Sequence, residues 1–215
     1  MTQPYILYGD IGSGSAPVEM ALAEIGAPVE LRPVPLGADA QLAAEYRRIN
    51  PMGRVPALVL PDGEGTVVTE LLAILVTLAE RHPEAGLLPP PGSTARAVAL
   101  RWMAVLSGEF YPCVTRSDYP ERFSADPAHA PAIRARAREM GREIWQVVEA
   151  GIPAPAPYLL GASLSVADLA IAVLSRWLDG RAWSEAALPK VTAIRRAVAA
   201  RPACAPVWQR HFPEG

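Results

Sequence analysis

Asn50-Pro51-Met52-Gly53-Arg54-Val55-Pro56-Ala57-Leu58 is the stretch that decides the architecture of this chain. Pro51 keeps Asn50 out of the helical region, so a short helix predicted over 42–49 ends there. Pro56 opens a strand-like run to Leu60, and proline is tolerated at the first residue of a strand. Pro61-Asp62-Gly63, with Gly65 close behind, is a turn, and Thr66 to Val68 is the returning strand of a hairpin. Thr69 is the expected cap of a helix carrying Leu71, Leu75 and Leu78 on one face, with Leu72 and Ile74 beside it. Working back from Asn50, Val29 to Val34 is strand-like, with Pro33 and Pro35 marking an edge or a strand end. Before it, Val18, Ala21, Leu22 and Ile25 recur at helical spacing and Gly26 stops the helix. Tyr5 to Gly9 is a first short strand, running into the turn Gly12-Ser13-Gly14-Ser15.

The order is βαβ, then α, then a β-hairpin, then α. A parallel βαβ unit followed by an antiparallel hairpin and a helix is a thioredoxin-like plan. His82 to Ser93 carries Pro83, Pro89, Pro90, Pro91 and Gly92 and is the domain linker. Beyond it no strand signal stands out. Helices are predicted over 96–107, 131–150, 165–178 and 190–200, with a Pro/Ala hinge over 151–157. The second of these is patterned by Ile133, Ala137, Met140, Ile144 and Val148 at a period of three to four residues. The expectation is an α/β thioredoxin-like N-terminal domain over 1–82, a linker over 83–94 and an all-α helical bundle over 95–215.

With 215 residues, 51% of them apolar, the chain can bury one good core or two small ones. A net charge of −2 and a pI near 6.0 give no electrostatic reason to expect nucleic acid or an anionic membrane as partner. Lys190 is the only lysine, and the excess of Arg, Ala and Pro fits a GC-rich bacterial genome. Cys113 and Cys204 form no CxxC or metal-spaced cluster, so two free thiols are expected, with no structural zinc. The N-terminal residues lack the charged and apolar regions of a signal peptide, and no run approaches a membrane span; a cytoplasmic location is expected. Gly9 to Ser15 superficially resembles a phosphate-cradling loop but lacks its G-K-[ST] ending, which argues against nucleotide binding.

The Asn50–Leu58 stretch resembles the signature loop of glutathione transferases. Thr69-Glu70-Leu71-Leu72-Ala73-Ile74-Leu75 is similar to that family's T-E-S-x-A-I-L. Tyr158-Leu159-Leu160-Gly161 and Ser165-Val166-Ala167-Asp168 resemble its C-terminal Y-L-x-G and S-x-A-D. These motifs stand in the family's order across nearly the whole chain. The resemblance implies glutathione as cosubstrate, no metal, a homodimer, and transfer of the glutathione thiolate to a small, mostly apolar electrophile. A non-catalytic binding or interaction protein on the same scaffold is the rival reading, with a glutathione-dependent peroxidase, dehalogenase or ether-cleaving enzyme beside it.

The resemblance also assigns roles. Pro56 is cis in the family, which exposes the backbone of Val55 to the cysteinyl part of glutathione. Glu70 meets the ammonium group, and the backbone N–H of Leu71 meets the γ-glutamyl carboxylate at a helix start. Leu71 stands where the family has serine, so one hydroxyl is missing, at a cost on the order of 1.5–3 kcal/mol for a bond to a charged group. Gln41 stands at a position often basic in relatives, and Arg54 is the nearest cation for the glycyl carboxylate. Thiol activation needs a donor, because a free thiol near pKa 8.5 is mostly protonated at neutral pH. The theta- and nu-like pattern puts that donor on Ser13, with Ser15 as the other candidate and Tyr8 inside the strand. The beta-type cysteine position is Gly14, and the zeta-type S-S-C run is absent. Trp102, Tyr111, Arg116 and Trp177 are the expected second-substrate residues. Ser165 and Asp168 form a capping box, a folding element rather than a site.

Overall fold

The computed structural model describes residues 3–153 and 156–214; the hinge expected over 151–157 lies partly outside them. The strands are β1 (Tyr5–Gly9), β2 (Val29–Pro33), β3 (Ala57–Val59) and β4 (Val67–Thr69), in the order β2-β1-β3-β4. β1 and β2 are parallel, and β1, β3 and β4 alternate in direction. α1 (Ala16–Ile25) makes the crossover, α2 (Ala44–Arg47) precedes β3, and α3 (Leu71–Arg81) follows β4. Gly26 closes α1 in the left-handed region at φ 72°, its N–H turned back to the Ala23 and Leu22 carbonyls.

One sheet face buries Val34, Tyr46 and Ala57, with Tyr8, Ile49, Val55 and Val67 packed against them. Leu7 and Leu58, paired across β1 and β3, point to the other face and are buried. α1 and α3 pack on each other and bury Val18, Met20, Leu22, Ile74, Leu75 and Leu78 completely. Of the boundaries that differ from the sequence reading, two bear on the loops at the sheet end. The helix expected over 42–49 shrinks to α2, because a 3-10 turn takes Ala40–Leu42 and the N–H groups of Ile49 and Asn50 both fold back on the Tyr46 carbonyl. Thr69 does not cap α3. It pairs with Ala57 as the last residue of β4, and Glu70 takes the cap position.

The second compact unit is Pro89–Ala197. Its helices are α4 (Thr94–Val105), α5 (Tyr111–Asp118), α6 (Ala130–Gly151), α7 (Val166–Leu174), α8 (Gly180–Ala187) and most of α9 (Pro189–Ala199). Ser93 caps α4 by accepting the Arg96 N–H. α6 buries Ala137, Gly141, Trp145 and Val148. The capping box on α7 forms as expected, and Asp168 also accepts the Leu159 N–H at 2.7 Å. Burial pushes the Asp168 carboxyl up, against these hydrogen bonds.

The chain ends in α10 (Cys204–His211), which packs on α1. The segment Val198–Gly215 therefore belongs to the unit formed by Met1–Leu88, not to the helical bundle expected over 95–215. Two ion pairs and a hydrogen bond join this segment to α1: Arg201 to Glu24 at 2.7 Å, Arg210 to Glu19, and the His211 imidazole to Glu19 at 2.9 Å. α5, α8 and α10 escape the sequence reading for a common reason. Each carries a helix breaker in its first turn (Pro112, Gly180, Pro206), where it interrupts no intrahelical bond. Both cysteines are free and buried. No helix of the described residues is long and apolar enough to cross a membrane.

Candidate functional site

Strand register gathers three loops at one end of the sheet. Tyr8 lies opposite Ala57, and Ala57 opposite Thr69. The turn after Gly9, the Val55–Pro56 peptide and Glu70 therefore leave neighbouring strands side by side. Adjacent strands are about 4.8 Å apart, so the row from β1 to β4 spans about 10 Å, the length of an extended tripeptide.

The β1–α1 turn is closed from within by its serines. Ser13 Oγ donates to the Asp10 carbonyl at 2.7 Å and lies 2.9 Å from Ser15 Oγ, which reaches the same carbonyl at 3.1 Å. The Asp10 and Ser15 N–H groups both donate to Ser13 Oγ at 3.2 Å. Ser13 is 7% exposed and Ser15 3%. A Cβ on Gly9 would fall 2.2 Å from the Ser15 side chain, so only glycine lets the strand end pass this close. The Asp10 carboxylate accepts the N–H groups of Ile11 and Leu36, both at 2.8 Å, tying the turn to the chain beyond β2. From outside, Gly12 N–H donates to Nδ1 of His211 at 3.0 Å. Tyr8 is engaged elsewhere: its hydroxyl accepts from Arg32 at 3.0 Å.

The Val55–Pro56 peptide is cis. The loop before it is fixed by its own carbonyl: Arg54 O accepts from the Tyr46 hydroxyl and the Asn50 amide, both at 2.7 Å. Burial raises the Tyr46 hydroxyl to about 12, so it stays a donor. Pro56 is buried, Val55 half-buried, and the Arg54 side chain is on the surface. Gln41 is 2% exposed and donates to Asp39 at 3.2 Å, leaving its carbonyl oxygen without a partner. Glu70 is exposed and holds φ 67°, ψ 121°, a region ordinary side chains avoid; such strain gathers at functional sites. α3 starts at Leu71 with no side-chain cap, so its first N–H groups point outward without intrahelical partners. The Leu71 side chain is 5% exposed and packs into the core.

Within the helical unit, the expected second-substrate residues fall into two groups. Trp102 is 4% exposed, a core residue pressed so closely on Gly151 that a Cβ there would lie 2.1 Å from the indole. Tyr111 and Trp177 come together edge to face, centroids 5.2 Å apart, and both are half-buried. Arg116 lies over the Phe123 ring at 5.2 Å. Sequence reasoning missed Asp10, Gly12, Glu19 and His211. Local spacing carries no signal for a contact between Gly12 and a histidine near the other end of the chain.

Comparison with known proteins bears on this geometry. Residues 15–81 match the family model "Glutathione S-transferase, N-terminal domain". The chain is 31% identical to glutathione S-transferase 3 of Zea mays, over 93% of this chain and 91% of the relative. It is 28% identical to the uncharacterized GST-like protein YncG of Escherichia coli K12, over 95% of this chain and 97% of that one. A crystal structure of a glutathione transferase homolog from Sulfitobacter, with bound glutathione, superposes with a TM-score of 0.88 at 32% identity, covering 96% of this chain and 97% of the other. The chain belongs to the glutathione S-transferase superfamily. It has that family's thioredoxin-like N-terminal fold and a helical second part.

Proposed function

We propose that the protein is a glutathione transferase that ionises the glutathione thiol and adds the thiolate to a small, mostly apolar electrophile. The observation that carries this reading is the row of three loops at one sheet end. Glutathione laid across it in extended form pairs its cysteinyl backbone with Val55, as an added strand would. Its γ-glutamyl group reaches Glu70 and the open N–H of Leu71, where the helix dipole favours a carboxylate. Its glycyl end falls toward Gln41 and Arg54, and Arg54 supplies the charge that Gln41 does not.

Its thiol then faces the β1–α1 turn. Asp10 carbonyl lies within reach of both serine hydroxyls, so one serine can turn its proton to the thiolate while the other keeps the carbonyl paired. Ser13, the less buried of the two, is assigned as the donor. Tyr111, Trp177 and Arg116 are assigned to the electrophile. By the same family reading the protein works as a homodimer in the cytoplasm, with no metal.

The test is an ultraviolet thiolate titration of bound glutathione, in wild type and in Ser13→Ala. A charge-assisted hydrogen bond is worth about 1.5–3 kcal/mol, so the variant should lose about one to two units of thiol acidity and about 10–100-fold in kcat, with glutathione affinity nearly kept. A variant with wild-type kcat and an unmoved thiol would remove Ser13 from the mechanism. One observation favours a second reading. Leu71 replaces a hydroxyl and is committed to the core, which suits a scaffold that binds glutathione weakly or not at all. Wild-type protein that fails to shift the thiol, or to bind glutathione, would select it.

A further inference from the structure

The β1–α1 turn is held from outside by the last helix, through groups whose protons can be assigned from the network alone. Gly12 N–H can only donate, so Nδ1 of His211 is bare and accepts it. The imidazole proton therefore sits on Nε2 and donates to Glu19 Oε2 at 2.9 Å. Arg210 takes the other Glu19 oxygen, which orients the carboxylate. His211 is 5% exposed and Glu19 7%, so neither group exchanges these partners for water. Gly12 itself, at φ 69°, has no side chain to anchor the loop.

We propose that His211 is a positioning residue: with Glu19 fixing its tautomer, it holds the Gly12 N–H and so sets the turn that presents Ser13 and Ser15. The catalytic consequence rests on the transferase reading above. A donor must sit within about 0.5 Å of its productive place. Loosening the clamp therefore weakens thiol ionisation and turnover more than it weakens glutathione binding, whose contacts with Val55, Glu70 and Leu71 lie on other loops.

The experiment compares full-length wild type, His211→Leu, His211→Asn and Glu19→Gln. Amide hydrogen exchange over residues 9–15 is measured without glutathione; then the bound-thiol titration, kcat and KM are measured. His211→Leu should exchange faster over 9–15, lose about one unit of thiol acidity and about tenfold in kcat, and keep KM within about threefold. His211→Asn places an amide oxygen where Nδ1 was, and should recover most of that loss. Glu19→Gln still accepts from Nε2 and should stay near wild type. The proposal is overturned if His211→Leu keeps wild-type exchange and kcat, or if folded His211→Asn is as impaired as the leucine variant, which would make the role one of packing. Should His211→Leu not fold, the other two variants decide by the same readouts. Should wild type itself leave the thiol unshifted, the transferase reading is what fails; faster exchange in a His211 variant then still supports the clamp, and equal exchange overturns it.

Discussion

Leu71 shows how one side chain is pulled two ways. Its backbone N–H stands at the open start of α3, where a carboxylate ligand is favoured, while its side chain is 5% exposed in the core. Leu71→Ser should tighten glutathione by up to about tenfold through a new charge-assisted bond, and lower stability by about 2–4 kcal/mol through lost burial. Calorimetric titration and thermal melting measure the two effects separately; a tighter binder with no stability loss would contradict the packing described for Leu71. Gly9 is constrained more simply. A Cβ there would sit 2.2 Å from Ser15, so Gly9→Ala must push the serine turn aside. It should destabilise the fold by about 1–3 kcal/mol and abolish any thiol shift, read by the same titration. The places of Val55, Pro56 and Glu70 in the loops at the sheet end were legible, because they sit in short motifs at fixed spacing. Ser13 and Ser15 could not be separated that way, because both hydroxyls serve one carbonyl.

α10 was the element least visible in the sequence and the one with most to say about the turn. Pro206 in its first turn reads as a breaker, and its partners Glu19 and Glu24 lie nearly the whole chain away. His211 carries a pH signature. Burial, reinforced by the Arg210 charge and opposed by Asp10, lowers its pKa from 6.5 to about 4. Because the folded value is depressed, the unfolded chain takes up the proton first as pH falls. The resulting stability is fully present above about 6.5 and is lost as pH drops through about 4. Urea denaturation at pH 7 and pH 4.5 should show wild type losing more stability than His211→Asn. Equal losses would mean that the imidazole is not held neutral in the fold.

The whole molecule divides into a helical unit that is continuous in sequence and an α/β unit that is not. Composition and periodicity gave both fold classes, since strand and helix periods are local. They carry no sign that 198–215 packs with 1–88, because its docking on α1 depends on charge pairs that no local pattern encodes. A chain cut after Leu88 would leave Glu19 and Glu24 without Arg210, His211 and Arg201, and would uncover the α1 surface. We expect residues 1–88 alone to bind a hydrophobic dye and to melt without a cooperative transition, and a separately supplied 198–215 peptide to restore part of the transition. Cooperative melting of 1–88 without the peptide would show that the last segment is dispensable.

Discontinuity also has a meaning in time. A ribosome makes this chain from the N-terminus at roughly 5–20 residues per second, and domains usually fold as they emerge. Here the first strands appear early, yet the helix that completes their unit is translated only after the whole helical unit. For on the order of ten seconds the nascent sheet waits while the helical unit is made and can fold ahead of it. Proteolysis of chains stalled before residue 198 should find 89–197 protected earlier than 1–88, the reverse of their order of synthesis. The turn that carries Ser13 would then take its final shape only once residues 198–211 have been made, which ties the birth of the site to a segment synthesised long after it.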